Sequence, residues 1–173
     1  MARSITSLDD VTANNLGTFK KINQVSLPTS YSEAWYKEAL NSDQIVKLAF
    51  FSELPVGGVK AKPLNLSSDL ATFDSAVGAK LVPKMVPNVV YIETLAVLTA
   101  YQNLGVGKQL LDHVIDQTKQ KYIHDVCVHV HVTNTHALEW YEKHGFEQKS
   151  LVKDYYKLQG LESPDAYLLY LKV

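Results

Sequence analysis

The sequence predicts an α/β fold in which about seven strands form a mixed α+β sheet flanked by about four helices. Three features indicate this fold. The strand-like stretch Val89–Thr99 runs into a glycine-bearing turn and then an amphipathic helix. A further strand, His124–Val132, follows that helix and alternates valine with other residues. The order of helical and strand patterns along the chain fits one mixed sheet rather than an array of repeats.

The N-terminal part of the chain reads as a short strand followed by two helices. Ser4–Leu8 is the strand candidate. Apolar residues recur at helical spacing between Leu16 and Val25, and this helix should end near Leu27 because Pro28 disfavours helical geometry at the residue before it. Ser32 is the expected N-cap of the second helix.

A hairpin and a long connection follow the second helix. Ile45–Phe51 and Val56–Lys62 are predicted to pair as its two strands. Regular periodicity is then lost over residues 62–88, a stretch with three prolines and a Ser/Asp-rich centre, apart from a short helix predicted around Leu70–Val77. We interpret 62–88 as a loop inserted in a single domain that spans residues 1–173.

The C-terminal half continues the alternation of helices and strands. The remaining predicted elements are a helix ending near Lys121, the strand His124–Val132, a helix Thr135–His144 capped by Asn134 and closed by Gly145, a strand from Phe146, and a final strand Ala166–Val173.

The turn from Gln102 to Gly107 has the form of an anion site. Free main-chain N–H groups at a helix N-terminus suit a pyrophosphate, and glycine lets a ligand approach the main chain closely. A dinucleotide-binding fingerprint would need a third glycine where Leu110 stands, and a Walker A loop would need Ser or Thr where Gln109 stands. The motif Gln-x-x-Gly-x-Gly remains, with an ordinary glycine turn as the alternative.

Composition and charge exclude several classes of protein. A net charge of −1 argues against a sequence-specific nucleic-acid surface of the usual basic kind. Cys127 is the single cysteine, so no internal disulfide can form. No secretory signal and no apolar run long enough to cross a membrane are present, so we expect a cytoplasmic protein without a membrane partner.

One face of the strand His124–Val132 carries Cys127, His129 and His131, and the opposite, valine face is the expected core. Ligands along one strand face would lie roughly 6–7 Å apart, and no second Cys/His cluster completes a zinc spacing. We therefore expect no metal. The face holds either structural histidines or a catalytic imidazole, for which the ordinary histidine pKa near 6.5 is suitable.

Two motifs at the right separation resemble those of the GNAT acetyltransferase superfamily. Gln102–Gly107 resembles its acetyl-CoA motif, and Asn134 followed by Tyr141-x-x-x-Gly145-Phe146 resembles its C-terminal signature. Further details resemble the NatE-type N-terminal acetyltransferases, also called San. These details are the segment Leu27-Pro28-Thr29-Ser30-Tyr31, the strand Tyr91–Leu95, the run His129–Asn134 and the pair Tyr155-Tyr156.

The resemblance implies a GNAT fold and assigns a role to each matching residue. The implied catalytic residues are Tyr91 and His129, which act through a water, and Tyr141, which donates to the departing thiolate. The implied acetyl-CoA residues are the main chain of Leu95 and Val97, the pyrophosphate loop Gln102, Asn103, Leu104, Gly105, Val106, Gly107 and Lys108, and Asn134 and Tyr141 at the thiol end. The implied peptide-binding residues are Leu27, Pro28, Thr29, Tyr31, Tyr155 and Tyr156.

Two positions depart from the family pattern. Gln102-Asn103 replaces a pair of arginines, so fewer positive charges would face the phosphates. Glu93 replaces an uncharged residue of the central strand, where it could contact the substrate as a proton acceptor or favour a charged amine. A covalent acetyl-cysteine route through Cys127 is the less favoured mechanism.

The implied reaction is acetyl transfer from acetyl-CoA to the α-amine of a peptide. The apolar and aromatic residues Pro28, Tyr31, Tyr155 and Tyr156 suggest a peptide that starts with Met followed by an apolar residue. The implied partners are nascent peptide N-termini and the NatA auxiliary and catalytic subunits on the ribosome. Two alternatives stay open. One is a weakly active or inactive auxiliary subunit of that NatA/NatE complex, and the other is a lysine or small-amine acetyltransferase.

Overall fold

The computed structural model describes residues 5–65, 87–152 and 165–173. These residues form four α-helices and seven strands in the predicted order. The helices are α1 (Leu16–Ser26), α2 (Glu33–Glu38), α3 (Val106–Gln120) and α4 (Thr135–Lys143). The strands are β1 (Thr6–Asp9), β2 (Ile45–Phe51), β3 (Leu54–Leu64), β4 (Val89–Val97), β5 (Asp125–His131), β6 (Glu147–Val152) and β7 (Ala166–Lys172).

The strands form one mixed sheet in the order β1-β2-β3-β4-β5-β7-β6. Adjacent strands are antiparallel at β1–β2, β2–β3, β5–β7 and β7–β6, whereas β4 and β5 are parallel. A parallel pair needs a crossover connection, and α3 supplies it. The predicted mixed sheet of about seven strands with about four helices is confirmed.

The chain divides into two compact units, one made of residues 1–62 and 93–117, and the other of 63–92 and 118–173. In the first unit, α1 and α2 pack their apolar faces onto β2 and the end of β4. The buried residues of this core are Phe19, Ile22, Tyr36, Ala39, Leu48 and Ala96. Gly58 of β3 permits this packing, since a Cβ at Gly58 would lie 2.7 Å from the Phe19 ring.

The second unit buries the face of β5 that carries its cysteine. Cys127 packs with Leu64, Val89 and Leu168, and Tyr91 lies against the same cluster. Val126, Val128 and Val130 on the opposite face are buried as well. The valine face belongs to the core as predicted, and Cys127 and His129 on the opposite face are buried as well, so that β5 is covered on both faces.

Element boundaries follow local chemistry closely. Leu27 has an extended backbone directly before Pro28, and the Ser32 hydroxyl accepts from the Trp35 N–H, as expected. Several boundaries differ from the predicted ones by one or a few residues. Strand β3 continues past Lys62 to Leu64, β4 ends at Val97 before a 3₁₀ turn, and α3 begins at Val106, so that Gly107 lies in its first turn.

Some predictions fall on residues outside the described ranges. They concern Ser4 in the strand at Ser4–Leu8, the short helix around Leu70–Val77, most of the 62–88 insertion, and the Tyr155-Tyr156 pair. The single-domain assignment for residues 1–173 stays a prediction. Across the described residues, no helix is long and apolar enough to span a membrane.

Candidate active site

A tyrosine–histidine pair joins the neighbouring parallel strands β4 and β5. Tyr91 is in register with Cys127, and His129 follows two residues later on the same face of β5. The Tyr91 hydroxyl lies 2.9 Å from Nδ1 of His129, and the two rings meet edge to face. The two residues predicted to act together are therefore in hydrogen-bonding contact.

Burial sets the protonation state of His129. Removal from water lowers the pKa of the imidazole to about 3, so the ring is neutral at pH 7. The ordinary histidine pKa near 6.5 that the sequence suggested therefore does not apply to the buried ring of His129. In the tautomer with the proton on Nε2, the Tyr91 hydroxyl donates to Nδ1. The pair can orient a water but is a weak proton acceptor.

Tyr141 lies on α4, and Asn134 lies directly before the first residue of that helix. Tyr141 is buried between Trp140 and Phe146, and this burial raises the pKa of its hydroxyl, which therefore keeps its proton and remains a donor. Asn134 caps the helix, since its Oδ1 accepts from the Ala137 N–H at 3.1 Å. Asn134 is exposed at the N-terminus of α4.

The predicted pyrophosphate loop has the backbone that its sequence requires. Asn103 and Gly105 both adopt positive φ, 63° and 86°, which Asn and Gly tolerate best. The turn leads directly into α3 at Val106, whose side chain is buried and anchors the loop. Leu104 is half exposed. Gly105 and Lys108 are exposed on either side of the helix start, so the N-terminus of α3 lies next to an exposed turn, which is the arrangement that anion binding needs.

The polar side chains of this loop are engaged with the protein itself. The Gln102 side-chain amide donates to the main-chain carbonyl of Val97 at 3.1 Å, and Lys108 pairs with Asp112 one turn along α3 at 2.7 Å. Main-chain amides, rather than side-chain cations, are thus the principal groups available to a diphosphate here.

The segment Leu27–Tyr31 ends at a tyrosine whose ring stacks on Trp35. Tyr31 lies on Trp35 with ring centroids 4.1 Å apart, and its hydroxyl accepts from Thr29 at 3.3 Å. Burial raises the pKa of Tyr31, and the nearby Glu93 carboxylate raises it further. Glu93 itself accepts from the Trp35 indole N–H at 2.6 Å. These predicted peptide-binding residues, from Thr29 to Tyr31 and Glu93, are brought together around Trp35.

Two residues of this group were missed by the sequence analysis. Trp35 was recognised only as a helix residue, and Lys60 was not singled out at all. The Lys60 side chain is 0% exposed and forms an ion pair with Glu93. No local motif marks Lys60, because its partners lie far from it in the chain.

Cys127 and the Tyr155-Tyr156 pair are the candidates that the structure does not place at an accessible site. Cys127 is fully buried, and burial raises the pKa of its thiol, so a thiolate nucleophile is disfavoured. Tyr155 and Tyr156 lie outside the described residues. Within residues 5–65, 87–152 and 165–173, no three His, Cys, Asp or Glu side chains are grouped as a metal site would require.

Comparison with known proteins identifies the family. A family model described as "Acetyltransferase (GNAT) family" matches residues 17–146. The chain belongs to the GNAT acetyltransferase family. It is 33% identical over 163 residues to zebrafish (Danio rerio) N-alpha-acetyltransferase 50, a match covering 94% of this chain and 85% of the relative. It is 31% identical to the Drosophila melanogaster "Probable N-acetyltransferase san", covering 98% and 82% of the two chains.

A solved structure supports the same assignment of the fold. Arabidopsis thaliana Naa50, solved in complex with the bisubstrate analogue CoA-Ac-MVNAL, superposes with a TM-score of 0.79 and 29% identity, covering 96% of this GNAT chain and 98% of the other. The predicted resemblance to the GNAT superfamily and to its San branch is confirmed. The role of each residue in this GNAT domain rests on the geometry described above and stays a prediction.

Proposed function

We propose that this GNAT protein transfers the acetyl group of acetyl-CoA to the α-amine of peptide N-termini. The observation that carries the proposal is the Tyr91–His129 hydrogen bond, which places a neutral imidazole and a phenol together on adjacent strands. Relatives named N-alpha-acetyltransferase 50 and San support the same activity. The structure of the Arabidopsis relative is a complex with a bisubstrate analogue that contains CoA and a peptide, which supports a direct transfer between the two substrates.

The amine chemistry favours an α-amine over a lysine. An α-amine has a pKa near 8 and a lysine near 10.4, so deprotonation at pH 7 costs about 1.4 kcal/mol for the former and about 4.6 for the latter. A buried imidazole with a pKa of about 3 is too weak a base to assist the deprotonation of a lysine. Glu93 offers little either, since Lys60 and Trp35 already bind its two oxygens.

Acetyl-CoA fits the groups that the chain presents. The loop Gln102–Lys108 supplies surface amides for the diphosphate, and a Cβ at Gly105 would meet nothing within 4 Å, so the main chain is open to a ligand there. In this proposal the main chain of Leu95 and Val97 pairs with the pantetheine arm, while Asn134 and Tyr141 line the acetyl and thiol end. Bound acetyl-CoA supplies an activated thioester carbonyl.

The residues of the chain then have separate tasks in the transfer. The neutral amine attacks the thioester carbonyl, a C–N bond forms, the C–S bond breaks, and the amine loses one proton. Tyr91 and His129 position a water that passes this proton on to the solvent, and the CoA thiolate takes up a proton from the solvent. Tyr141 keeps its own proton at neutral pH and donates a hydrogen bond to the departing sulfur. No protein nucleophile is needed.

The peptide preference we propose is methionine followed by an apolar residue. Pro28 and the stacked Tyr31 supply an apolar, aromatic wall for the first side chain. The Met-Val start of the peptide in the Arabidopsis complex supports this preference. Tyr155 and Tyr156 are proposed to contribute to the same wall.

We further propose a cytoplasmic location and association with the NatA auxiliary and catalytic subunits at the ribosome. The resemblance to San supports this proposal. Affinity capture of the tagged chain from its native cells, followed by sedimentation through sucrose, tests it. Co-sedimentation with ribosomes that disappears in high salt is the expected result, and absence of both subunits from the captured material contradicts it.

The decisive experiment is an acetylation assay with purified protein and a peptide panel that includes Met-Leu and Ser-Ser starts. We expect turnover on Met-Leu to exceed that on Ser-Ser, and His129→Ala to reduce it at least tenfold. His124→Ala is the matched control, since His124 is exposed next to β5 and should leave the rate unchanged. A blank over the whole panel would favour the auxiliary-subunit alternative, provided that CoA still binds.

A further inference from the structure

A buried lysine in the first unit lies at the centre of a polar network. Lys60 of β3 is fully buried, and its ammonium has three acceptors, which match its three N–H donors. These acceptors are Glu38 at the end of α2 and Gln44 before β2, both at 3.1 Å, and Glu93 of β4. The ammonium also lies 4.6 Å from the centre of the Trp35 ring.

The network extends from Lys60 to the peptide-binding segment in three contacts. One oxygen of Glu93 accepts a hydrogen bond from the Lys60 ammonium, and the other accepts one from the indole N–H of Trp35 at 2.6 Å. Trp35 in turn stacks on Tyr31. The Glu93 side chain is 9% exposed, so its charge needs a partner, and Lys60 supplies it, with Lys62 at 3.7 Å.

We propose that Glu93, whose negative charge is balanced by the Lys60 ammonium, is a positioning residue for the peptide-binding segment Leu27–Tyr31. The carboxylate fixes the indole of Trp35, and the indole fixes the ring of Tyr31 on which the first peptide residue packs. This inference rests on the proposed function only in taking Leu27–Tyr31 as the peptide-binding wall. It gives Glu93 a different task from the proton acceptor or amine ligand that the sequence suggested.

Two double variants separate positioning from folding. Lys60→Met/Glu93→Gln and Lys60→Met/Glu93→Met both remove the two buried charges and fill similar volumes. The Glu93→Gln change retains an amide oxygen for the Trp35 N–H, whereas the Glu93→Met change does not. The variants therefore differ chiefly in whether the indole has an acceptor. Urea unfolding measures the stability of each, so that an affinity change can be compared with any change in folding.

The probe is a dye-labelled Met-Val-Asn-Ala-Leu peptide, titrated in the presence of saturating CoA. We expect the peptide affinity of the double variant with Glu93→Gln to stay within about threefold of the wild-type value. The double variant with Glu93→Met should bind the peptide about tenfold more weakly than wild type. The CoA affinity of both variants should be unchanged. Lys47→Met is the control, because Lys47 lies on the neighbouring strand β2 and pairs with Asp10, outside this network.

The outcomes distinguish this inference from the proposed function. Equal peptide affinity of the two double variants overturns the inference, and so does a wild-type protein that binds no peptide. A wild-type protein that binds the peptide without acetylating it contradicts the proposed function, while a difference between the double variants would still support the positioning role of Glu93.

Discussion

The side-chain amide of Gln102 donates a hydrogen bond to the main-chain carbonyl of Val97, the last residue of β4, at 3.1 Å. This bond ties the start of the pyrophosphate loop back to the strand whose main chain is proposed to pair with pantetheine. We therefore propose that Gln102 contributes to acetyl-CoA binding through the position of the main chain, without needing to contact a phosphate itself.

Substitutions at Gln102 should change acetyl-CoA binding more than turnover. We expect Gln102→Glu to raise the KM for acetyl-CoA about tenfold, because a carboxylate cannot donate to Val97 and repels the diphosphate. Gln102→Arg keeps a donor and adds a positive charge, so its KM should equal or fall below that of wild type, with a stronger dependence on salt. Initial rates at two ionic strengths check both. An unchanged KM in Gln102→Glu would contradict the role.

The pH dependence of turnover should follow the substrate amine rather than His129. The imidazole stays neutral above a pKa of about 3, so it does not titrate in the assay range, whereas a peptide α-amine titrates near 8. We expect kcat/KM for a Met-Leu peptide to rise between pH 6 and 8 and then level off. His129→Ala should lower the whole curve and keep its shape. An inflection near pH 6.5 that disappears in His129→Ala would contradict this reading.

Stability should fall on acidification because His129 is buried in its neutral form. Its folded pKa of about 3 lies below the unfolded value near 6.5, so the unfolded chain binds more protons between these values. The free energy of unfolding should therefore decrease as pH falls below 6.5, by up to about 1.4 kcal/mol per pH unit for this group.

Urea unfolding at pH 7, 6 and 5 measures this effect. His129→Gln removes the titrating group, and the difference between the two proteins isolates its share. The comparison is needed because burial also lowers the pKa of the half-buried His113. Parallel pH dependences for wild type and His129→Gln would show that His129 is not buried as described.

Local chemistry made much of the site predictable from the sequence. A Gly-x-Gly turn after a strand, an Asn cap before a helix and a proline after Leu27 each act over a few residues, and each has the expected structure. The pairing of Tyr91 with His129 was expected from the resemblance to the GNAT family, and the structure gives its physical basis, since the parallel strands β4 and β5 place alternate residues side by side.

The Lys60 network and the pKa of His129 could not be predicted from local sequence patterns. Lys60 is joined to Glu38 and Glu93, which lie 22 and 33 residues away, and a lysine in an alternating strand normally indicates the solvent face. The fall in the pKa of His129 depends on how completely the fold removes the ring from water, which the local sequence does not specify.

Two glycines of the first unit should respond to alanine for different reasons. Gly105 has a φ of 86°, and a Cβ there would meet no atom within 4 Å, so Gly105→Ala introduces backbone strain of about 1–2 kcal/mol without a clash. Gly105→Asn should be milder, since Asn tolerates this region. A Cβ at Gly57 would lie 2.9 Å from the Ala96 carbonyl oxygen, so Gly57→Ala should destabilise by about 1–3 kcal/mol through overpacking.

Urea unfolding and acetyl-CoA titration check this pair together. Gly105→Ala should weaken acetyl-CoA binding and Gly105→Asn should weaken it less, because only the loop geometry changes. A Gly105→Ala protein as stable and as tight for acetyl-CoA as wild type would show that the left-handed turn is not required.

The burial of Cys127 yields a test of the covalent alternative. Its side chain is fully buried against Leu64, Val89 and Leu168, and the raised pKa of its thiol leaves little thiolate to attack a thioester. Cys127→Ala should therefore retain turnover and lose about 1 kcal/mol of stability through the small cavity it leaves. Cys127→Ser should be less stable still, because it buries a hydroxyl where the sulfur packs against apolar groups. A folded Cys127→Ala protein that binds acetyl-CoA and peptide but transfers nothing would favour an acetyl-cysteine intermediate over direct attack by the amine.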